Sequence, residues 1–112
     1  MEVVLERADE MPLVGLFMHA ALEARRDALA RAAPRGDLAI TAGGMSVTLA
    51  CTPDRVAVRP GVSESPRAHL RGSLEALIEI ASGRVAGPVL RRRVRISGNP
   101  VALLALARVF RS

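Results

Sequence analysis

The chain has 112 residues, which is enough for one domain with a buried core, and half of them are hydrophobic, which argues against disorder. Only Phe17 and Phe110 are aromatic, so the chain lacks the stacking platforms of single-stranded nucleic-acid binders. The formal net charge is +5, and all 16 basic residues are arginine. The absence of lysine excludes Schiff-base catalysis and the lysine of phosphate-binding loops.

The charge is unevenly distributed along the chain. Residues 1–54 hold eight acidic residues and five arginines, whereas residues 55–112 hold three acidic residues and eleven arginines. Acidic residues in the first ten positions give the N-terminus the wrong charge for a signal peptide, and the apolar run from Met11 to Leu22 is too short to cross a bilayer. With Cys51 as its single cysteine, the chain is predicted to be one cytoplasmic domain over residues 1–112.

The first predicted element is one helix from Met11 to Ala33, capped by Asp9 and ended by Pro34-Arg35-Gly36. One apolar stripe at helical spacing comprises Leu13, Leu16, Phe17, Ala20 and Ala24. A second strip beside it includes Val14, Met18 and Leu22. Because a single stripe is sufficient for one core, the second strip predicts a homodimer contact, a membrane contact or a lid over an opening.

The period then changes to two, which is typical of strands with one buried face. Leu38, Ile40 and Ala42 alternate with polar or small residues, Gly43-Gly44 predicts a hairpin turn, and Met45 to Cys51 continue the alternation. A second turn at Pro53-Asp54 leads to a third strand around Val56 and Val58. These residues predict a three-stranded antiparallel meander.

The remainder of the chain repeats a strand, a glycine and an amphipathic helix. The first copy places a strand at Arg67–Arg71 before Gly72 and a helix at Ser73–Ser82, with Ser73 as its cap. The second copy places a strand at Arg92–Ser97 before Gly98, followed by a helix that begins at Asn99-Pro100 and ends near Phe110. Gly83 and Gly87-Pro88 are predicted to interrupt the chain between the two copies.

These elements predict an α+β fold with the order α-βββ-β-α-β-α. We expect a five-stranded, mixed and mostly antiparallel sheet with the helices packed on its apolar face. The opposite face is predicted to carry Arg55, Arg59, Arg67, His69, Arg71, Arg93 and Arg95. This arginine-rich face has three interpretations: a solvated surface, a docking surface for an anionic membrane or a partner protein, and, as the weakest of the three, a nucleic-acid surface.

Candidate chemical groups are few and scattered. Neither His19 nor His69 has a second ligand at metal-binding spacing, so we expect no metal and no cofactor. Cys51 alternates in step with the inward-facing residues of its strand, which predicts a buried and inert thiol. Glu75 and Glu79 share a helix face and are expected to be solvated. These observations argue against an enzyme.

The order of elements, together with the segments Leu70 to Leu77 and Val94 to Pro100, resembles the sterol carrier protein type two family, the small sterol-binding domain. The resemblance extends more loosely over residues 11–110. It implies a sheet and helices that enclose an apolar tunnel for fatty-acyl, sterol or isoprenoid ligands. Some bacterial relatives are accessory proteins that hold hydrophobic intermediates, as in ubiquinone biosynthesis.

On periodicity alone, the apolar faces of the last two helices are ordinary core, including Leu77, Ile78 and Leu104. The resemblance instead makes some of these residues candidates for lining a ligand cavity. The predicted lining comprises Leu16, Phe17, Leu49, Val58, Leu70, Leu77, Ile96, Leu103, Leu106 and Phe110, with Phe110 as a candidate gate. The predicted function is non-enzymatic binding and transfer of a hydrophobic small molecule. The alternative is a structural or protein-interaction domain with a filled core that dimerises or docks through helix one or the arginine-rich face.

Overall fold

A computed structural model describes residues 1–82, 84 and 94–111, without the side chain of residue 111. This part of the chain contains six strands and four α-helices. The strands are β1 (Glu2–Leu5), β2 (Gly36–Ala42), β3 (Met45–Thr52), β4 (Arg55–Pro60), β5 (Ala68–Gly72) and β6 (Val94–Gly98). The helices are α1 (Leu13–Glu23), α2 (Arg26–Ala32), α3 (Leu74–Ala81) and α4 (Pro100–Arg111), and a 3-10 turn at Ala8–Glu10 precedes α1.

The strands form one mixed sheet in the order β1-β4-β3-β2-β5-β6. The β1–β4 and β2–β5 pairs are parallel, and the other three pairs are antiparallel. The α+β class and the mixed sheet are confirmed, but the prediction of five strands is wrong because β1 adds a sixth. β1 has only four residues, too few for clear alternation, and it forms by parallel pairing with the distant β4, where Val3 lies opposite Val56.

One face of the sheet, called here the inner face, packs against the helices. Its central side chains are almost completely buried, among them Leu38, Val47, Leu49, Val56 and Val58. The hairpin register places these residues side by side, with Leu49 between Leu38 and Val58. The alternation read in the sequence therefore identifies the buried face of β2, β3 and β4 correctly. The opposite side of the sheet is called the outer face.

Two helices stand where the sequence predicts one. The chain leaves helical geometry at Arg25, where φ is −123° and ψ is 34°, and α2 begins at Arg26. Asp9 lies in the 3-10 turn, and Pro12 occupies the capping position of α1 without a side-chain hydrogen bond, so the predicted Asp9 cap is also wrong. The break allows α2 to turn and pack against α4.

The rotation of α1 about its axis is the opposite of the predicted one. Val14, Met18 and Leu22 are fully buried, whereas Leu13 is 62% exposed and Leu16 is 44% exposed. Gly15 explains this rotation, because a Cβ atom there would lie 2.9 Å from Val47 Cγ1 and would also collide with the Met11 side chain. The helix approaches β3 along this glycine, and the side chains beside it necessarily face the core.

The capping predictions for the later helices are confirmed. The Ser73 hydroxyl accepts a hydrogen bond of 3.0 Å from the Ala76 N–H, and the Asn99 side-chain oxygen accepts one of 2.9 Å from the Val101 N–H. Gly98 has a φ of +83°, and a Cβ atom there would lie 2.7 Å from the Arg67 carbonyl oxygen, so the position requires glycine. The predicted interruptions at Gly83 and Gly87-Pro88, and Arg92-Arg93 of the predicted strand, lie outside the described residues.

Cys51 lies on the inner phase of β3 and is 7% exposed. Burial, and secondarily the negative charge of Asp37, raises the pKa of the Cys51 thiol from 9.0 to about 12. Its Sγ atom lies 3.6 Å from the Leu49 carbonyl oxygen, in position to donate a weak hydrogen bond. The thiol is therefore protonated at neutral pH, as expected for an inert core cysteine.

The rotation of α1 predicts unequal costs for the same substitution at two positions. Leu22→Ala removes a fully buried side chain and should lower the free energy of unfolding by about 2–5 kcal/mol. Leu16→Ala, the matched control on the same helix, should change it by less than about 1 kcal/mol. Urea denaturation followed by circular dichroism measures both. Equal costs, or a larger cost at Leu16, would show that the helix presents its other strip to the core.

The raised pKa of Cys51 predicts a loss of stability in alkali. Above pH 9 the unfolded chain releases the thiol proton while the folded chain retains it, so the free energy of unfolding falls as the pH rises from 9 towards 12. Relative to Cys51→Ala, the wild type should lose about 1.4 kcal/mol between pH 8 and pH 10. Denaturation curves at the two pH values measure this difference. A difference that does not change with pH would show that the thiol ionises normally in the folded protein.

Candidate functional site

The inner face of the sheet is covered unequally. Beneath α1, the side chains of β3 and β4 are sealed, and Leu49 and Val58 have no exposed surface. At the other end of the sheet, four of the five residues of β6 are exposed and Val94 is half-buried. The apolar face is therefore closed at the β4 side and reaches solvent at the β6 side.

Ile96 marks this opening. It pairs with Leu70 across the antiparallel β5–β6 ladder, and Leu70 pairs with Ile40, so all three side chains belong to the inner face. Ile40 is 1% exposed and Leu70 is 9% exposed, whereas Ile96 is 44% exposed. Exposure increases steadily towards the edge, so an apolar row runs from the core out to solvent.

Helices α3 and α4 pack over this half of the molecule. They bury Leu77, Leu103 and Leu106 in the core. They also leave three large apolar side chains exposed, at Ile78 (43%), Val101 (63%) and Leu104 (55%). The expectation that Ile78 and Leu104 belong to the core is therefore wrong. Helical spacing identifies an apolar surface, but the width of the sheet beneath it determines how much of that surface is covered.

The structure places nine of the ten predicted lining residues in three environments. Leu70 and Ile96 lie on the inner face of β5 and β6, and Leu77, Leu103 and Leu106 are buried on α3 and α4. Leu49 and Val58 lie deep in the sealed half. Leu16 is exposed on α1, and Phe17 is partly buried against the core. The ten residues therefore do not form one continuous wall.

Phe110 lies at the far end of α4 from the opening and is 3% exposed. The Arg25 guanidinium carbon lies 5.6 Å from the centre of its ring, a cation–π contact that covers the aromatic face. Arg25 occupies the break between α1 and α2, so this contact ties the break to the end of α4. The role of Phe110 as a gate stays a prediction.

A shallow cleft of about 340 Å³ opens at the junction of α1 and α2. Its walls are mainly charged, with Glu23, Arg25, Arg26, Asp27 and Arg31 beside two alanines. Arg26 also donates a hydrogen bond of 3.0 Å to the Met1 carbonyl oxygen. This lining is unsuited to a hydrocarbon chain, because burying such a chain there would displace water from charged groups without replacing their interactions.

The outer face of the sheet is polar. Thr41 Oγ1 lies 2.8 Å from Ser46 Oγ and 2.7 Å from His69 Nε2, so the three side chains form a hydrogen-bonded chain across β3, β2 and β5. Partial burial, and then the positive charge of Arg71, lowers the pKa of His69 below 6.5. The imidazole is therefore neutral at pH 7, and the positive charge of this face comes from its arginines.

No group of three or more His, Cys, Asp or Glu side chains within the described residues could hold a metal ion. None of the helices in this part of the chain is long and apolar enough to cross a membrane.

Solved structures share this fold at low sequence identity. The UbiJ-SCP2 ubiquinone synthesis protein aligns with a TM-score of 0.69 at 13% identity, over 88% of this chain and 94% of the other. Domain 2 of the Helicoverpa armigera sterol carrier protein aligns with a TM-score of 0.65 at 17% identity, over 88% and 85% of the two chains. Palmitated SCP2L2 from Aedes aegypti aligns with a TM-score of 0.55 at 19% identity, over 82% and 93%.

A family model, and not an individual protein, assigns this sequence to a family. No curated protein matches the chain. The model of the SCP-2 sterol transfer family, however, matches residues 17–111, which include α2, α3, α4 and five of the six strands. This match covers most of the chain and agrees with the structural alignments. The chain belongs to the SCP-2 sterol transfer family.

Proposed function

We propose that this protein binds and transfers a hydrophobic ligand, a fatty-acyl, sterol or isoprenoid lipid, in an apolar space between the sheet and helices α3 and α4. The observation that carries the proposal is the exposed Ile96 on the inner face, beside the buried Leu70. At Ile96 the aliphatic inner face meets solvent, and the ligand would enter there. Family membership supports lipid transfer as the general activity.

Elementary energetics favours a long aliphatic ligand. Each methylene group removed from water contributes about 0.8 kcal/mol, so an acyl chain supplies enough free energy for micromolar binding after the cost of immobilisation. The side chains around the opening, Leu70, Leu77, Ile96, Leu103 and Leu106, are all aliphatic and carry no polar atoms. Such a wall selects for hydrophobicity and size, and it makes no directional contact that would distinguish one lipid head group from another.

Two relatives support particular ligand classes. The Aedes aegypti protein is palmitated in its solved structure, which supports a fatty-acyl ligand. UbiJ is a ubiquinone synthesis protein, which supports an isoprenoid ligand. Carriage of either ligand consists of reversible burial, in which no covalent bond is made or broken.

The alternative function is an interaction domain with a filled core. Val14, Met18 and Leu22, the strip predicted to form a contact through helix one, are buried in the core and are not available for it. Leu13 and Leu16 are nevertheless exposed on the other side of α1, and they are the residues through which a contact by that helix would form. Sedimentation equilibrium of Leu13→Glu and Leu16→Glu tests the form of this alternative in which the protein dimerises through helix one, which requires a wild-type dimer that the substitutions dissociate.

The ligand class is tested by organic extraction of the purified protein followed by mass spectrometry. The proposal predicts a co-purifying acyl, sterol or isoprenoid lipid in near-stoichiometric amount. Displacement of a fluorescent fatty acid then measures affinity in solution. A protein that carries no lipid and does not bind the fluorescent fatty acid would contradict the proposal.

Adjacent leucines on α4 provide a matched pair of variants. Leu103 is 9% exposed and faces the core, whereas Leu104 is 55% exposed. Leu103→Arg places a charge in the proposed cavity and should reduce fatty-acid affinity by about a hundredfold or more, because a buried unpaired charge is costly. Leu104→Arg should leave solution binding within about threefold of the wild type, since its side chain stays in water.

Because Leu103→Arg can destabilise the fold, Ile96→Gln provides a second test. Ile96 is largely exposed, so the fold should tolerate the amide, while the opening becomes less apolar. We expect about fivefold to tenfold weaker fatty-acid binding with an unchanged circular dichroism spectrum. Normal binding by both folded variants would contradict a cavity at the β6 end.

A further inference from the structure

The sheet ends at β6 with an edge that no strand of the described residues covers. On one side β6 pairs with β5, and on the other side it pairs with none of the described strands. Four of its five residues are exposed, and Val94 is half-buried. Such an edge presents backbone N–H and C=O groups in the geometry that another strand requires.

The hydrogen-bond pattern shows which backbone groups of β6 face outwards. Just beyond the ladder, the Asn99 N–H donates a hydrogen bond of 2.9 Å to the Arg67 carbonyl oxygen. Because hydrogen-bonded and non-hydrogen-bonded positions alternate in an antiparallel pair, Ser97 and Arg95 also bond to β5. The backbone groups that point away from the sheet are those of the alternate residues Val94, Ile96 and Gly98.

The two faces of this edge carry different side chains. On the outer face, Arg95 lies opposite Arg71 in the β5–β6 ladder, and both are exposed. No carboxylate in residues 1–82, 84 and 94–111 forms an ion pair with either arginine. On the inner face, Ile96 is 44% exposed. Like charges in opposite positions repel, so a strand beside β6 is stabilised by carboxylates on its outer face and by apolar side chains on its inner face.

We propose that the free edge of β6 is a strand-addition site for a partner protein, which contributes an extended segment of alternating acidic and apolar residues. The segment adds as an antiparallel seventh strand and forms hydrogen bonds with the outward-facing backbone groups of β6. Its acidic side chains lie on the outer face beside Arg71 and Arg95, and its apolar side chains cover Ile96 on the inner face. The proposal is independent of the carrier function, because strand addition requires no bound lipid.

Charge distinguishes this partner from the other occupants of such an edge. In a second copy paired antiparallel about Ile96, Arg71 and Arg95 of both chains would lie on one face without a counter-ion, which opposes the pairing. A nucleic acid supplies anions but no strand, and β5 and β6 carry no aromatic side chain on which its bases could stack. An acidic segment of a protein supplies the anions and the strand together.

Fluorescence anisotropy with a labelled heptapeptide of alternating glutamate and valine tests the charge of the site. The wild type should bind this peptide more weakly as salt rises, and it should not bind the matched peptide of alternating lysine and valine. R71Q/R95Q should bind the glutamate peptide about tenfold more weakly, because it removes two cross-strand charge pairs. R55Q/R59Q removes the same charge from the same face and should bind within about twofold of the wild type, since Glu6 already pairs with those arginines. Equal losses in the two double variants would indicate attraction by net charge alone and would overturn the proposal.

N-methylation of the glutamate peptide tests strand addition itself. In the antiparallel arrangement the valine N–H groups face β6, so methyl groups on the valine nitrogens should weaken binding by more than about tenfold. The glutamate N–H groups point to solvent, and methyl groups on the glutamate nitrogens should leave binding within about threefold. Equal binding of the two methylated peptides would overturn the proposal, and the reverse order of affinities would overturn the antiparallel register.

Ile96→Pro tests the same bond from the side of the protein. The substitution removes an outward-facing N–H and no bond to β5, so the circular dichroism spectrum should be unchanged while peptide binding is lost. Ile96→Val keeps the N–H and should bind the peptide normally. Unchanged peptide binding by folded Ile96→Pro would overturn the proposal. So would a wild type that does not bind the peptide, whether it forms a dimer in sedimentation equilibrium or shifts labelled duplex DNA. A wild type that binds the peptide but displaces no fatty acid would refute the carrier function and still support the strand-addition site.

Discussion

The central physical constraint in this protein is that an apolar sheet face must be covered, and six strands are wider than the cover that the described helices provide. At about 4.8 Å per strand, the sheet is roughly 24 Å across. Helix α1 seals the side of β3 and β4, with Gly15 allowing a close approach to Val47. At the β6 end the inner face still carries Ile96, and that side chain is 44% exposed. The proposed carrier function follows from this incomplete cover.

Charged side chains are distributed unevenly over the outer face of the sheet. Glu6, which directly follows β1, forms ion pairs with Arg55 and Arg59 at one end of this face. At the β6 end, where Ile96 is exposed, Arg71 and Arg95 lie opposite each other in the β5–β6 ladder.

Much of the fold can be predicted from the sequence because its signals are local. Alternation identifies β2, β3 and β4, and Ser73 and Asn99 are recognisable as caps since each bonds to an N–H two or three residues away. Non-local features escape prediction. β1 exists only through parallel pairing with β4, and the rotation of α1 depends on a contact between Gly15 and Val47. Prediction of the core fails similarly at Leu104, because apolar residues occupy most sides of α4 and only its packing determines which of them are buried.

The central claim is that a lipid lies between β5, β6, α3 and α4 and not elsewhere in the core. Its most direct test is methyl NMR of the protein titrated with stearic acid that carries a nitroxide label on its chain. A ligand at this site should strongly broaden the methyl signals of Leu70, Leu77 and Leu103 and leave those of Leu22 and Val56 in the sealed half unchanged. Broadening of Leu22 and Val56 instead, or no selective broadening at saturating ligand, would contradict it.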